Sequence, residues 1–239
     1  SSCSMYGAAE DHPRTEDSPL NPLTAYAKSK VFTEKDLQQL CGNEFKVTCL
    51  RFSTACGMSS RLRLDLVLND FVAGAIATKE ITILSDGTPW RPLIHVKDMA
   101  KAIEWAVFRD IDRGGAFLAV NVGSQEWNYQ VRHLAEAVAE VMPNIAVSVN
   151  KDALPDKRSY RVNFDLFKRL APDYQPEMDL KASIKELKKG LEEMEFKDPD
   201  FRNSNYMRLR VLKDLRRNGY LDKNLEWRIG ASAGKMGAK

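Results

Sequence analysis

An α/β fold is what this sequence predicts, because runs with strand character alternate with runs of helical period, and because the strand-like runs feed short loops before a helix resumes in the same sense. That alternation favours α/β over a helical bundle or a β-sandwich. With 239 residues, 44% hydrophobic and 29% charged, the chain supplies a core for one large domain or two small ones.

The first helix is marked by Asn21-Pro22-Leu23-Thr24 as a start signal, runs from Ala25 to Leu40 without Pro or Gly, and meets Gly42 as a stop. Phe45 to Phe52 is rich in β-branched and aromatic residues and leads into the small-residue stretch Ser53 to Gly57, a strand feeding a loop. Helical spacing from Asp65 to Ala77 is followed by a short strand at Ile81–Leu84 and the turn Asp86-Gly87-Thr88-Pro89. Leu93–Val96 is a further strand, Asp98 is placed to cap a helix through Phe108, and Ala116–Val122 reads as a buried strand ending at Gly123. Beyond Gly123 the rhythm loosens. A helix is expected from about Tyr129 to Val141, strands near Ile145–Val149 and Tyr160–Phe164, and short helices around Leu166–Leu170 and Leu180–Met194. Met207, Leu209, Val211, Leu212 and Leu215 among arginines form an amphipathic helix, whose apolar stripe packs on the same protein rather than on a membrane.

Composition excludes several classes of function. The 36 basic residues nearly balance 33 acidic ones and are scattered, so a net charge of +3 sets up no field for nucleic acid. Cys3, Cys41, Cys49 and Cys56 have neither the spacing of a zinc site nor the density of a disulfide framework, which points to no metal and to a reducing cytoplasm. No apolar run approaches the roughly 18 residues that span a bilayer.

Chemistry enters at Tyr26-Ala27-Lys28-Ser29-Lys30, which puts a phenol and an ammonium one helical turn apart on one face. A phenol is a poor base near neutrality, but a neighbouring cation favours the phenolate and suits it to general acid/base transfer. Alone, this spacing arises by chance in many chains of this size, and reads as a surface helix. Its company changes the weight. Ser2, in the opening Ser-Ser-Cys-Ser-Met-Tyr-Gly, stands at an expected strand end where a hydroxyl can bond a reacting oxygen, and Arg51 to Gly57 closes the next strand. Ligands of open α/β sheets bind at the carboxyl ends of strands, so these features converge on one crevice.

The ordered set resembles the extended short-chain dehydrogenase/reductase family, in particular its nucleotide-sugar epimerases and dehydratases. The resemblance runs through Ser1–Gly7, Asn21-Pro22 with Tyr26–Lys30, Leu50–Gly57, Arg61–Asn69, Ser85–Pro92, Ile94–Asp98 and Asn121–Gly123. It implies the C-terminal part of a Rossmann-like doubly wound parallel sheet (1–58 and 93–123) with a smaller α/β substrate-binding lobe (59–92 and 124–239). It implies a triad of Ser2, Tyr26 and Lys30 that takes the sugar 4-hydroxyl proton while hydride passes to NAD. Tyr26, Lys30, Phe52 and Ser53 would line the nicotinamide pocket. On the substrate side, Ser4 and Thr54 fall near the sugar, and Thr54 replaces a usual Asn. Asn69 resembles a residue whose neighbourhood contacts the nucleotide diphosphate. Arg91 matches a diphosphate-binding arginine, apt because a guanidinium offers bidentate bonds to phosphate. Arg158 is the candidate for a second such arginine, with Arg161 as the alternative.

Within the resemblance, C4 epimerisation is the expected reaction. Dehydratases of the family carry an Asp-Glu pair directly after the triad hydroxyl, and here those positions are Cys3 and Ser4. Cys3 reads as a small buried residue, His95 as a packed strand residue, and His12 and His133 as surface residues. A 4-ketosugar reductase is one alternative. A fragment or binding protein without turnover is the other, because the Gly-x-x-Gly-x-x-Gly loop of family members is not in this sequence; on the order of 100 residues would precede Ser1 in an intact enzyme. The chain alone is then expected to associate or to be poorly soluble. NAD is expected over NADP, a nucleotide sugar as substrate, and a homodimer by resemblance.

Overall fold

The computed structural model describes residues 1–8, 12–42, 44–150 and 159–228. The expected alternation is present. Helix α1 spans Ala25–Leu40, strand β1 Val47–Phe52, β2 Thr54–Cys56, α2 Val67–Thr78, β3 Glu80–Ile83 and β4 Trp90–His95. There follow α3 Val96–Phe108, β5 Phe117–Val122, β6 Asn128–Gln130, α4 Val131–Val141, β7 Ala146–Val149, α5 Asp165–Leu170, α6 Leu180–Glu193 and α7 Arg208–Arg217. Three short sheets result among the described residues. β1 and β5 are parallel in full register from Val47↔Phe117 to Phe52↔Val122, and Ser2 adds a parallel bridge to Phe52 on β1's other edge. β3 pairs with β7 in parallel. β4 changes partner midway: Leu93–His95 run parallel to β2, and Trp90–Pro92 antiparallel to β6. The change falls beside Pro92, which has no N–H to give to a ladder.

Two principal cores form. Leu50, Ile94, Trp105, Val120 and Val122 pack between the β1/β5 pair and α3. Phe167 of α5 joins them, its ring edge-on to Trp105 at a centroid distance of 5.5 Å, a geometry worth about 0.5–1.5 kcal/mol beyond burial. A helix that the resemblance groups with the second lobe is therefore seated on the first core. The larger cluster gathers α2, α4, α6 and β3 around Leu68, Val72, Ile81, Leu134 and Leu187.

Two local expectations are corrected. Asp98 does not cap α3. β4 runs into that helix without a loop, so His95 becomes the cap, its Nδ1 accepting from the Lys97 N–H at 3.2 Å, while the Asp98 carboxylate accepts the N–H groups of Glu177 and Met178 at 3.0 and 3.2 Å. Tyr160–Phe164 is not a strand either. Val162 makes an isolated parallel bridge to Arg14 instead of a run of pairs, and the Asn128 side chain takes the N–H and the C=O of Val162 at 2.9 and 3.0 Å. The tail is helical over Arg208–Arg217, with Val211, Leu212 and Leu215 half-buried.

Candidate active site

The site is assembled where the opening segment, the start of α1 and the ends of β1 and β2 meet. Ser2 accepts from the Ser4 N–H at 3.2 Å and so caps a 3₁₀ turn over Cys3–Tyr6. Its hydroxyl also donates to the Ser4 Oγ at 3.0 Å. The turn closes at Gly7, with φ at +68°, and a Cβ there would lie 1.9 Å from the Asn21 carbonyl oxygen. Only glycine fits. The close approach brings the Asn21 N–H onto the Met5 carbonyl at 3.0 Å and lays the start of α1 over the serines. Thr24 then caps the helix through the Ala27 N–H at 3.1 Å, which orients Tyr26 and Lys30.

A cavity of about 650 Å³ opens there, with Ser4, Tyr26, Thr54 and Arg91 on its wall. Four sequence-nominated residues are thus brought together. Tyr26 is 57% exposed, and the Lys30 Nζ stands 5.3 Å from its ring centroid. Ser2 lies behind Ser4, linked to the cavity by the hydroxyl pair. Arg91 donates to the Trp90 carbonyl at 2.9 Å, and Tyr160 joins the wall nearby. The Arg161 guanidinium lies 5.3 Å from the centre of the Trp90 ring, and Arg158 falls outside the described residues.

Other nominated residues are held off the wall. Ser53 is 5% exposed and donates through both N–H and Oγ to the Val122 carbonyl, at 3.1 Å each. Phe52 is half-buried against the β1/β5 core. Asn69 is buried, and both ends of its amide are engaged: Oδ1 accepts from the Gly57 N–H at 3.1 Å and Nδ2 donates to the Arg63 carbonyl at 3.0 Å. It pins the loop that carries Asp65, while its neighbours Leu66, Val67 and Asp70 line the cavity.

Sequence reasoning missed the charged groups. Asp65, on the wall, is gripped by Arg63 through bonds of 3.0 and 2.7 Å; burial works to raise its pKa, but the Arg63 bonds hold it below the usual carboxylate range. Asp70 is held in the same bidentate way by Arg202, at 2.8 and 2.7 Å. Behind the wall, Arg51 of β1 pairs with Glu34 of α1 at 2.7 Å, both buried. Tyr6 joins them, accepting from Arg51 at 3.1 Å and donating to Asn121 at 2.6 Å; burial pushes its phenol well above the ordinary value. The available signal was Glu34 itself, which shares the buried stripe of α1 with Ala27 and Val31. Cys3 is fully buried and donates to the Arg51 carbonyl at 2.9 Å; burial pushes its thiol far up, so it is inert. His95 is fully buried, and His12 and His133 are exposed. Among the described residues no cluster could hold a metal, and no helix is long and apolar enough to cross a membrane.

Residues 1–123, which carry Ser2, Ser4, Tyr26, Lys30, Thr54, Asn69 and Arg91, match the model of the NAD dependent epimerase/dehydratase family. The chain belongs to that family. A putative UDP-glucose 4-epimerase of Methanocaldococcus jannaschii is 26% identical over 189 residues, covering 76% of this chain and 57% of the relative. The UDP-glucose 4-epimerase of Bacillus subtilis is 30% identical over 158 residues, 59% of this chain and 46% of its own. This family member therefore spans about half the length of the curated relatives that it matches. Among solved structures, MoeE5 in complex with UDP-glucose and NAD superposes with a TM-score of 0.69 at 22% identity, over 81% of this chain and 64% of that one. UDP-glucose-4-epimerase from Stenotrophomonas maltophila with bound NAD gives 0.67 at 20%, over 82% and 62%. At such identities the likeness shows the fold alone, which is the Rossmann-like α/β architecture that the resemblance implies.

Proposed function

We propose that the full-length protein is an NAD-dependent epimerase that inverts a nucleotide-activated sugar at C4 through a transient 4-keto sugar. The observation that carries this reading is the shared wall of one open cavity, on which Tyr26, Ser4, Thr54 and Arg91 stand with Lys30 beside the phenol. Two relatives named as UDP-glucose 4-epimerases, one of them putative, support it, and make a UDP-sugar the substrate class of choice.

Tyr26 takes the proton of the sugar 4-hydroxyl, Lys30 favours the phenolate, and the linked hydroxyls of Ser2 and Ser4 relay the proton. Arg91 clamps the diphosphate, with Arg158 or Arg161 as its second arginine. Thr54 and Ser4 face the sugar, and Asn69 acts by fixing the loop whose neighbouring residues line the cavity. The donor set fits NAD. An exposed phenol next to an ammonium, at the mouth of a cavity and in front of the β1 strand end, presents hydrogen-bonding groups to a ribose and a nicotinamide ring. Tyr26 and Lys30 would hold that end of the cofactor; half-buried Phe52 would add an apolar contact, and Ser53, whose N–H and Oγ both go to Val122, would add no hydrogen bond. NAD, when bound, supplies the acceptor and donor of the sugar's hydride. Four unpaired thiols fit the reducing cytoplasm, and a homodimer is the assembly expected from the family resemblance.

The test is Tyr26→Phe in the full-length protein, assayed for interconversion of UDP-glucose and UDP-galactose. Turnover should fall by about 10²–10⁴-fold, the usual worth of an acid/base group, while NAD still binds. Unchanged turnover sinks the mechanism. Consumption of one NAD(P)H per turnover in the parent enzyme replaces the epimerase with a ketosugar reductase.

A further inference from the structure

Glu34 is a carboxylate on the buried stripe of the helix that carries Tyr26 and Lys30. Both of its oxygens are taken by Arg51: Nε reaches Oε1 at 3.0 Å and Oε2 at 3.2 Å, and Nη2 reaches Oε2 at 2.7 Å. Both residues are 6% exposed. A buried ion pair is weak evidence for stability, since apolar residues of similar volume commonly serve the fold as well or better. The pair therefore calls for another account. Lys30 lies four residues before Glu34, one turn away on the same helix face, the separation at which lysine and glutamate pair on helices. Lys30 instead stands by the Tyr26 ring.

We propose that Arg51 is a positioning residue for the Tyr26–Lys30 pair: by holding both oxygens of Glu34, it denies that carboxylate to Lys30 and leaves the ammonium with the phenol. The inference rests on the reading of Tyr26 as the acid/base group. The surrounding charges are consistent with it. Glu34 faces Arg51 and Cys49 of β1, and Cys49 is pushed up to about 11, by burial first and then by that carboxylate. Arg51 faces Tyr6 and Cys3, its Nη1 donates to the Glu16 carbonyl at 3.1 Å, and the Glu16 carboxylate lies close by. Tyr26 faces Arg63 in addition to Lys30, and Arg63 is already bound by Asp65. Once Arg51 is removed, Lys30 is the cation on Glu34's own helix face within reach of it.

The experiment compares Arg51→Met, the double variant Glu34→Met/Arg51→Met, and Tyr26→Phe in the full-length protein. Arg51→Met should move the acid limb of the kcat–pH profile up by about one unit, because the cation that favours the phenolate is drawn to Glu34. Modification of Lys30 by an amine reagent, read by peptide mass spectrometry without turnover, should slow in the same variant. The double variant should bring both readouts back to the parent's, although it has lost both charges. If Arg51→Met and the double variant share one acid limb, shifted or not, the proposal is overturned. Should Arg51→Met not fold, Arg51→Lys leaves one Glu34 oxygen unclaimed and should give a smaller shift in the same direction; no shift overturns the proposal equally. Turnover retained in Tyr26→Phe is a separate result, which removes the proposed function rather than the role of Arg51.

Discussion

Tyr26 and Lys30 stood out through their spacing on one helix face, whereas Ser4, Thr54 and Arg91 were nominated through the family resemblance, and the structure puts these three on the cavity wall with Tyr26. Arg51 and Glu34 did not stand out, because their pairing spans 17 positions, and Tyr6 meets Asn121 across 115. Nothing local in a sequence registers such distances. Asn69 shows the converse, a recognisable amide whose hydrogen bonds the fold has already claimed for Gly57 and Arg63. Arg91 gives the prediction at this scale. If its planar fork grips a diphosphate that does not react, Arg91→Lys should raise KM for the nucleotide sugar roughly tenfold and leave kcat within about twofold, the signature of lost uniform binding. Steady-state kinetics decides; a fall in kcat at constant KM would place the arginine in the chemistry instead.

At the scale of elements, α1, β1 and β5 were legible almost to the residue, since capping, β-branched runs and glycine stops are local signals. The β4–α3 junction was not. Asp98 looks like a cap by composition, but β4 ends at His95 and the helix starts at the next residue, so the imidazole is what stands at the cap position. It is also a buried base. Glycine at position 57 admits it: a Cβ there would sit 2.2 Å from the ring's Nε2. With Nδ1 accepting from Lys97, Nε2 carries the proton of the neutral ring, and it lies 3.5 Å from a Glu186 oxygen. Burial holds the His95 pKa below its ordinary 6.5, more than Glu186 and Asp98 raise it. The unfolded chain therefore binds this proton at a higher pH than the folded one. Stability from this group is present above about pH 6.5 and is lost as pH falls from there toward the folded value. His95→Asn keeps an acceptor for the Lys97 N–H and cannot be protonated. Urea titrations between pH 7.5 and 5 should show a smaller loss of stability for the variant than for the parent, whatever the variant's offset at neutral pH. Equal slopes would mean that the imidazole titrates normally.

For the whole molecule, the α/β class followed from the alternation of periods, whereas the partner switch of β4 at Pro92 and the seating of α5 on the first core depend on packing between distant segments. The same long-range view exposes surfaces that the sequence does not announce. β1 is paired along its whole length by β5 on one edge, while on the other the one bridge among the described residues is Ser2 to Phe52. Val107 and Phe108 at the end of α3 are 64% and 73% exposed, and Phe32 on α1 is 61% exposed. An open strand edge and large exposed apolar side chains both favour association. Residues 1–239 expressed as a chain of their own should therefore sediment as oligomers. Val107→Lys with Phe108→Lys should shift the distribution toward monomer if the α3 end carries the contact, because two ammonium groups cannot be buried against an apolar partner without a counter-charge. A monodisperse monomer for the parent chain would show that water tolerates these surfaces as they stand. Oligomers unchanged by the double lysine variant would move the contact to the β1 edge, whose backbone groups the two lysines leave in place.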